Sequence, residues 1–272
     1  MNVSGKTAVV TGSASGLGRE TAISLARNGA VRVACLDIHD AGNAETADLV
    51  RAQGAEPLPL HMDLGNVGEI KARFAEVLAT FGHIDAAAFV GGYSWKAESL
   101  DVTEAQWDTF VNVNLRGTFF CCQEALKAMA ERGSGSIVTI SADAAFFPME
   151  GLAVQAAAKG GIAQMTKALA LENARRGVRV NCVSPGIVHV KKSGWVTPAG
   201  PPQRPVPNLP PAPPVATLQE QTARGRALTE REIADTIVFL CSGAASGISG
   251  DTLFVNGGGY FSLRYDAPNN LK

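Results

Sequence analysis

"TGSASGLG", residues 11–18, joins a short apolar run, "KTAVVTG" (6–12), to a helical pattern from Ser15 to about Asn28. A second apolar run, "VRVACLD" (31–37), follows. Short apolar runs bounded by glycine read as buried strands, so strand, glycine loop, helix and strand make one β-α-β unit. Gly12 permits the tight turn, and Gly16 and Gly18 let backbone and helix approach closely. The free N–H groups at the start of the helix, near Ser15 and Leu17, attract a pyrophosphate. Asp37 ends the second strand, just before Ile38. Its carboxylate can accept hydrogen bonds from both hydroxyls of an adenosine ribose and would repel a 2′-phosphate. Ser13, Ala14 and Ser15 bring no cation to offset that repulsion. The expected cofactor is therefore NAD(H) rather than its phosphorylated form.

Outward from this unit, strand and helix patterns continue to alternate. Further strands are expected at "EPLPLHMD" (56–63), "IDAAAFVGG" (84–92), "GSIVTIS" (135–141), "GVRVNCVSPG" (177–186) and "DTLFVNGG" (251–258). Alternation of this kind predicts a parallel sheet covered by helices on both faces. Seven strands fit one doubly wound α/β sheet of the Rossmann type, with residues 1–272 as a single NAD-binding domain. One segment breaks the rhythm. "GWVTPAGPPQRPVPNLPPAPPV" (194–215) holds most of the 14 prolines and cannot be regular helix or central strand. It predicts a substrate-side surface loop at about 191–222, covering the crevice outside the sheet's carboxyl edge.

Composition excludes several partners. Lys and Arg total 24 against 25 Asp and Glu, and no basic run or aromatic-plus-basic stripe appears, so neither a nucleic acid nor a membrane surface is expected as partner. The 5 cysteines lie in apolar runs without a CxxC pair, which suits small buried hydrophobes in a reducing compartment. No ligand cluster for a metal stands out. The start of the chain shows no basic leader, and no apolar run reaches roughly 18 residues. The expected location is the cytoplasm.

The spacing TGxxxGxG, with "HMDL", "NVNLRG", "GSIVTIS", a helix carrying Lys159 and "SPG", resembles the short-chain dehydrogenase/reductase family over about residues 3–260. The resemblance implies that Asp63, beside Leu64, meets the adenine, and that Lys159 holds the nicotinamide ribose and lowers the pKa of a neighbouring tyrosine. It also implies that Asn114 positions a water in the proton relay. Pro185 and Gly186, followed by Val188, match the family's turn beside the nicotinamide. "GDTLFVNGGGY" resembles the family's final strand, usually a subunit contact, so a homo-oligomer is implied, a tetramer or a dimer.

The same resemblance exposes departures. The family's tyrosine stands four residues before its lysine, and here that position is Gln155. Its serine stands thirteen residues before the tyrosine, and here that position is Ala142. The turn after the fourth strand, Asn-Ala-Gly in the family, is Val90-Gly91-Gly92. Glutamine neither gives nor takes a proton near neutral pH, so ordinary acid–base help, worth roughly 10²- to 10⁴-fold, would be missing. The candidates to replace it are Tyr93, Ser141, Asp143, Glu150 and His189. Each also has a plainer reading: Tyr93 as a pocket wall, Ser141 as a core hydroxyl, Asp143 and Glu150 as solvated loop carboxylates, His189 as a loop histidine. Trp107 is expected on the apolar face of the helix carrying Asn114. Trp95 and Trp195, on substrate-side loops, would frame an apolar or aromatic small molecule. The expected function is an NAD(H)-dependent oxidoreductase acting on an alcohol or carbonyl group through an atypical site. An inactive NAD-binding subunit or sensor, such as one in a hetero-oligomer with an active relative, is the alternative, and a non-redox lyase-type enzyme a more distant one.

Overall fold

The computed structural model describes residues 1–147, 149–189 and 222–258. Its centre is a seven-stranded parallel sheet in the order β3-β2-β1-β4-β5-β6-β9. The strands are β1 (Thr7–Thr11), β2 (Arg32–Asp37), β3 (Glu56–His61), β4 (Ala86–Phe89), β5 (Gly135–Ile140), β6 (Val178–Pro185) and β9 (Thr252–Val255). All seven fall inside the runs expected from the sequence. A two-stranded parallel pair, β7 (Val188–His189) with β8 (Leu228–Thr229), was not foreseen from the sequence. Both of its strands are two residues long, too short to leave a periodic signal.

Position in the sheet follows composition. β1 is buried along its whole length, pairing Ala8 with Val33 of β2 on one side and with Ala86 of β4 on the other. β3 contains Pro57 and Pro59 and lies at an edge, where missing N–H donors cost no ladder bond on the open side. Helices α1 (Gly16–Arg27), α2 (Asp40–Arg51), α3 (Val67–Phe81), α4 (Glu104–Val111), α5 (Gly117–Arg132), α6 (Ala153–Asn173) and α7 (Glu230–Cys241) connect the strands. Their ends are set locally. The Asn66 side chain accepts the N–H groups of Gly68 and Glu69 at the start of α3, and Gly82 ends that helix at φ 78°. Thr103 with Gln106, and Thr229 with Glu232, form capping boxes on α4 and α7.

Two apolar layers sandwich the sheet. One packs α1 and α7 through Leu25, Ile233, Ile237 and Val238. The other packs α3 and α5 through Ile70, Phe74, Cys121 and Met129. All five cysteines are buried free thiols, and burial pushes Cys35 and Cys241 up to about 12. Phe74 is fully buried and meets Phe89 edge to face at 6.1 Å. Phe74→Ala will lower the unfolding free energy by about 3–5 kcal/mol, read as a shift in the denaturation midpoint at unchanged slope.

The strand order reverses between β1 and β4, and the carboxyl ends of the strands open there into a crevice. The proline-rich stretch 194–215 and Trp195 lie outside the described residues. Trp107 departs from expectation: it is 42% exposed. The arc of α4 that packs against α6 is carried by Phe110, which meets Val154 and Ala158. Trp107, three residues earlier and thus about 60° round the helix, falls outside that arc.

Candidate functional site

A cleft of about 560 Å³ lies at the switch point, walled by Gly12, Leu17, Asp37, Asp63, Val90 and Tyr93 among others. Ser15, Gly16, Gly18, Ile38, Leu64, Gly91, Gly92 and Trp95 also line it. Its floor exists because certain side chains are missing. Gly12 has φ 72°, and a Cβ there would stand 2.6 Å from the Gly91 Cα. A Cβ on Gly18 would stand 1.9 Å from the Gly12 carbonyl oxygen. The tip of β1, the loop after β4 and the start of α1 therefore meet backbone to backbone.

The residues present fit a dinucleotide. Ser15 is the N-cap of α1 but its side chain makes no capping bond, so the first-turn N–H groups remain for an anion. Asp37 is buried and held in place: Oδ2 accepts the Ala14 N–H at 2.9 Å and Oδ1 the His39 N–H at 2.9 Å. Each oxygen keeps a lone pair for a ribose hydroxyl. The nearby Arg19 is engaged elsewhere, donating to the Ala14 and Gly42 carbonyls and to Thr46 and Glu45. Asp63 stays beside the cleft, accepting the Gly65 N–H through Oδ1.

Deeper in, α4 runs into α5 through a π-turn, Asn112–Arg116, which carries Asn114. Such insertions often mark functional positions. Asn114 is fully buried, donates through Nδ2 to the Phe110 carbonyl, and accepts the Tyr93 N–H on Oδ1 at 3.3 Å. Gly92, φ 144°, makes room for it: a Cβ there would lie 2.5 Å from Asn114 Oδ1 and 3.9 Å from Lys159 Nζ. Asn114, Lys159 and the loop after β4 thus converge. Lys159 Nζ donates to the Ile140 carbonyl at 3.2 Å, and the Ser141 hydroxyl donates to the Lys159 carbonyl at 2.8 Å. Ser141 is the core hydroxyl of the plainer reading. Ala142, half-buried, follows it with no hydroxyl to offer.

Burial lowers the Lys159 ammonium from 10.5 to about 8. Between those values the unfolded chain binds a proton that the folded chain has lost, so stability rises with pH from about 8 to 10.5. At about 1.36 kcal/mol per unit the rise is roughly 3 kcal/mol. Lys159→Met will flatten that limb and stabilise the unliganded chain below pH 8, as denaturant titrations at several pH values will read.

Gln155, 8% exposed, is tied to the loop after β4. Its Oε1 accepts the Ser94 hydroxyl at 2.7 Å and the Trp95 N–H at 3.4 Å. Ser94 was not singled out by sequence reasoning, and a lone loop serine carries no signal. Tyr93 is half-buried, stacks edge to face on Phe110 at 5.1 Å, and its phenol is raised by burial, which suits a wall more than a base. Glu150 is exposed. The backbone of His189 lies in β7; its side chain is outside the described part. Asp143 corrects the expectation of a solvated carboxylate. It is buried, accepts from Ser184 Oγ and Asn256 Nδ2 at 3.1 Å each, and burial raises its pKa. The turn after β5 tucks it behind Gly186, where a Cβ would lie 3.2 Å from Asp143 Oδ2. Pro185, Gly186 and Val188 form the half-buried rim at the end of β6.

The family model described as enoyl-(acyl carrier protein) reductase matches residues 12–259. A dehydrogenase subunit of Thauera aromatica, BbsD of (2S)-[(R)-hydroxy(phenyl)methyl]succinyl-CoA dehydrogenase, is 33% identical over 95% of this chain and 98% of its own. The chain belongs to the short-chain dehydrogenase/reductase family. D-threitol dehydrogenase of Mycolicibacterium smegmatis is 34% identical over 93% of this chain and 92% of its own. A solved structure from Sinorhizobium meliloti 1021 superposes with a TM-score of 0.85 at 30% identity, covering 96% of this chain and 98% of that one. A short-chain type dehydrogenase/reductase from Mycobacterium marinum gives 0.81 at 25% identity, covering 94% and 96%. Members of this family are dehydrogenases and reductases that take nicotinamide cofactors and act on small molecules, commonly as oligomers. Among the described residues no helix is long and apolar enough to cross a membrane, and no group of three or more metal-ligating side chains gathers.

Proposed function

We propose that this chain is an NAD(H)-dependent oxidoreductase of the alcohol/carbonyl type working through an atypical centre. The observation that carries the cofactor half is the cradle: an uncapped α1 N-terminus facing a glycine floor, with Asp37 held at its edge. Gly12, Ser15, Gly16, Leu17 and Gly18 would hold the pyrophosphate, Asp37 and Ile38 the adenosine ribose, and Asp63 and Leu64 the adenine. Val90, Gly91, Gly92, Lys159, Pro185, Gly186 and Val188 would hold the nicotinamide half. A bound nicotinamide supplies hydride transfer. The chain's own residues orient: Lys159 and Asn114 converge on Gly92, while Gln155 and Ala142 stand where the family has tyrosine and serine. Tyr93 and Trp95 on the cleft wall favour an apolar or aromatic substrate.

Gln155 favours a second reading, a cofactor-holding subunit beside an active relative. Its amide is fixed on Ser94 and Trp95 and moves no proton. The Thauera relative is itself named as a subunit. A homo-oligomer, dimer or tetramer, is proposed on the edge strand β9, where exposed Phe254 gathers Phe146 and Phe147 within 4.8 and 5.9 Å. A reducing cytoplasm suits the five free thiols.

NADH fluorescence titration tests the cofactor half, and turnover on a panel of alcohols and ketones decides between the readings. NADH will bind roughly ten- to a hundredfold tighter than NADPH, because a 2′-phosphate would face the Asp37 carboxylate. Asp37→Ala will bring the two dissociation constants together. Equal constants in the wild type would refute the preference.

A further inference from the structure

Gln155 has a definite orientation. The Trp95 backbone N–H can only donate, so the side-chain atom facing it is the carbonyl oxygen Oε1, which also takes the Ser94 hydroxyl. The amide nitrogen Nε2 is therefore turned away from residues 94 and 95. Among the described residues nothing accepts its two protons. Gln155 is nine-tenths buried as a residue, but its Nε2 is not one of the buried side-chain atoms left without a partner, so the N–H pair keeps access to a ligand or water. It sits one helical turn before Lys159, at the centre described above.

We infer that Gln155 Nε2 is a preset hydrogen-bond donor that selects ligands by an acceptor oxygen, the sp² oxygen of a carbonyl or carboxylate, over an alcohol. The inference rests on the proposed dinucleotide-binding reading and adds the chemical class of the ligand. Gln155 presents N–H donors and no acceptor, so a carbonyl oxygen takes up one of them and leaves no proton of its own unpaired. An alcohol oxygen can also accept, but its own proton then finds no partner on the Gln155 side. Ser94 is a positioning residue: its hydroxyl donates to Oε1 and, together with the donor-only Trp95 N–H, holds the amide in this orientation. Residue 155 thereby recognises the oxidised form of an alcohol/carbonyl pair, or a carboxylate of like shape.

The test loads the full chain with redox-inert tetrahydro-NAD, followed by its own titration, so that no turnover clouds binding. Two matched series are then titrated by calorimetry: acetone, 2-propanol and acetate, and cyclohexanone, cyclohexanol and cyclohexanecarboxylate. The expected result is a ketone or carboxylate bound roughly three- to tenfold tighter than its matched alcohol. The ketone-to-carboxylate ratio names which source of acceptor oxygen the centre prefers. In Gln155→Glu, which replaces the donor with an acceptor of the same shape, the ketone-to-alcohol ratio inverts. In Ser94→Ala it falls toward one while tetrahydro-NAD still binds. Equal affinity for ketone and alcohol in the wild type overturns the inference, as does an unchanged ratio in Gln155→Glu or the failure of every member of both series to bind the loaded chain. Failure of tetrahydro-NAD to bind at the first step sinks the cofactor reading instead, and is seen before any ligand is added.

Discussion

The double variant Gln155→Tyr, Ala142→Ser will oxidise small secondary alcohols with NAD⁺ at a rate roughly 10²- to 10⁴-fold above the wild-type background, the range general acid–base catalysis supplies. Most of the required parts are in place. Lys159 stands one helical turn from position 155, and a cation there favours a phenolate. Asn114 lies against the same loop residue, Gly92, where a Cβ would stand 2.5 Å from Asn114 Oδ1 and 3.9 Å from Lys159 Nζ. A tyrosine at 155 releases Ser94 and Trp95 from the amide oxygen, and the new phenol takes up the proton that glutamine cannot. A serine at 142, directly after the Ser141 that anchors the Lys159 backbone, then holds the substrate oxygen against the phenol. The two groups act on the same oxygen, so each single change will recover far less than the pair. Several alcohols of different size should be assayed because Trp95 lines the cleft. A folded, NAD-binding double variant that stays at background on all of them would mean that the cleft no longer sets a substrate carbon against the nicotinamide.

Gly18→Ala will weaken NADH binding by tens- to hundredfold and lower the melting temperature together. The added methyl would sit 1.9 Å from the Gly12 carbonyl oxygen and 2.5 Å from its carbon, both backbone atoms that cannot swing aside. α1 must shift away from the loop, at the roughly 1–3 kcal/mol typical of overpacking. At about 1.4 kcal/mol per factor of ten, displaced first-turn N–H groups that lose a further roughly 1.5–3 kcal/mol of pyrophosphate contact give the stated loss. Gly54→Ala is the control, since no heavy atom lies within 4 Å of a Cβ there. Its effect on NADH affinity should be negligible, even though its φ of 90° costs some stability. An unaltered NADH constant in Gly18→Ala would refute the role given to the glycine floor.

By itself the sequence determined what short-range pattern can carry. The central runs became strands because a parallel sheet buried on both faces asks for largely apolar residues, which β1, β2, β4, β5 and β6 supply, whereas edge strand β3, mostly exposed or half-buried, was legible from its place in the alternation. The cradle was legible for the same reason: Gly12, Gly16, Gly18 and Asp37 lie within 26 positions, and their order along one β-α-β unit already implies their geometry. Lys159 and Gln155 were placed on one face by their spacing of four. What only the tertiary structure decided are contacts between segments far apart in the chain. The direction of the Gln155 amide depends on Ser94 and Trp95, about sixty residues earlier, brought over α6 by the loop that leaves β4. Asp143 looked solvated because its neighbours in sequence are unremarkable, but it is buried by Ser184 and by Asn256, 113 residues away, where the ends of β6 and β9 close over it. Trp107 looked internal because its helix is amphipathic, yet the tertiary packing uses only the arc around Phe110. In each case a side chain's surroundings are set by which strand ends meet at the carboxyl edge of the sheet, and hydrophobic periodicity along one segment carries no information about that meeting.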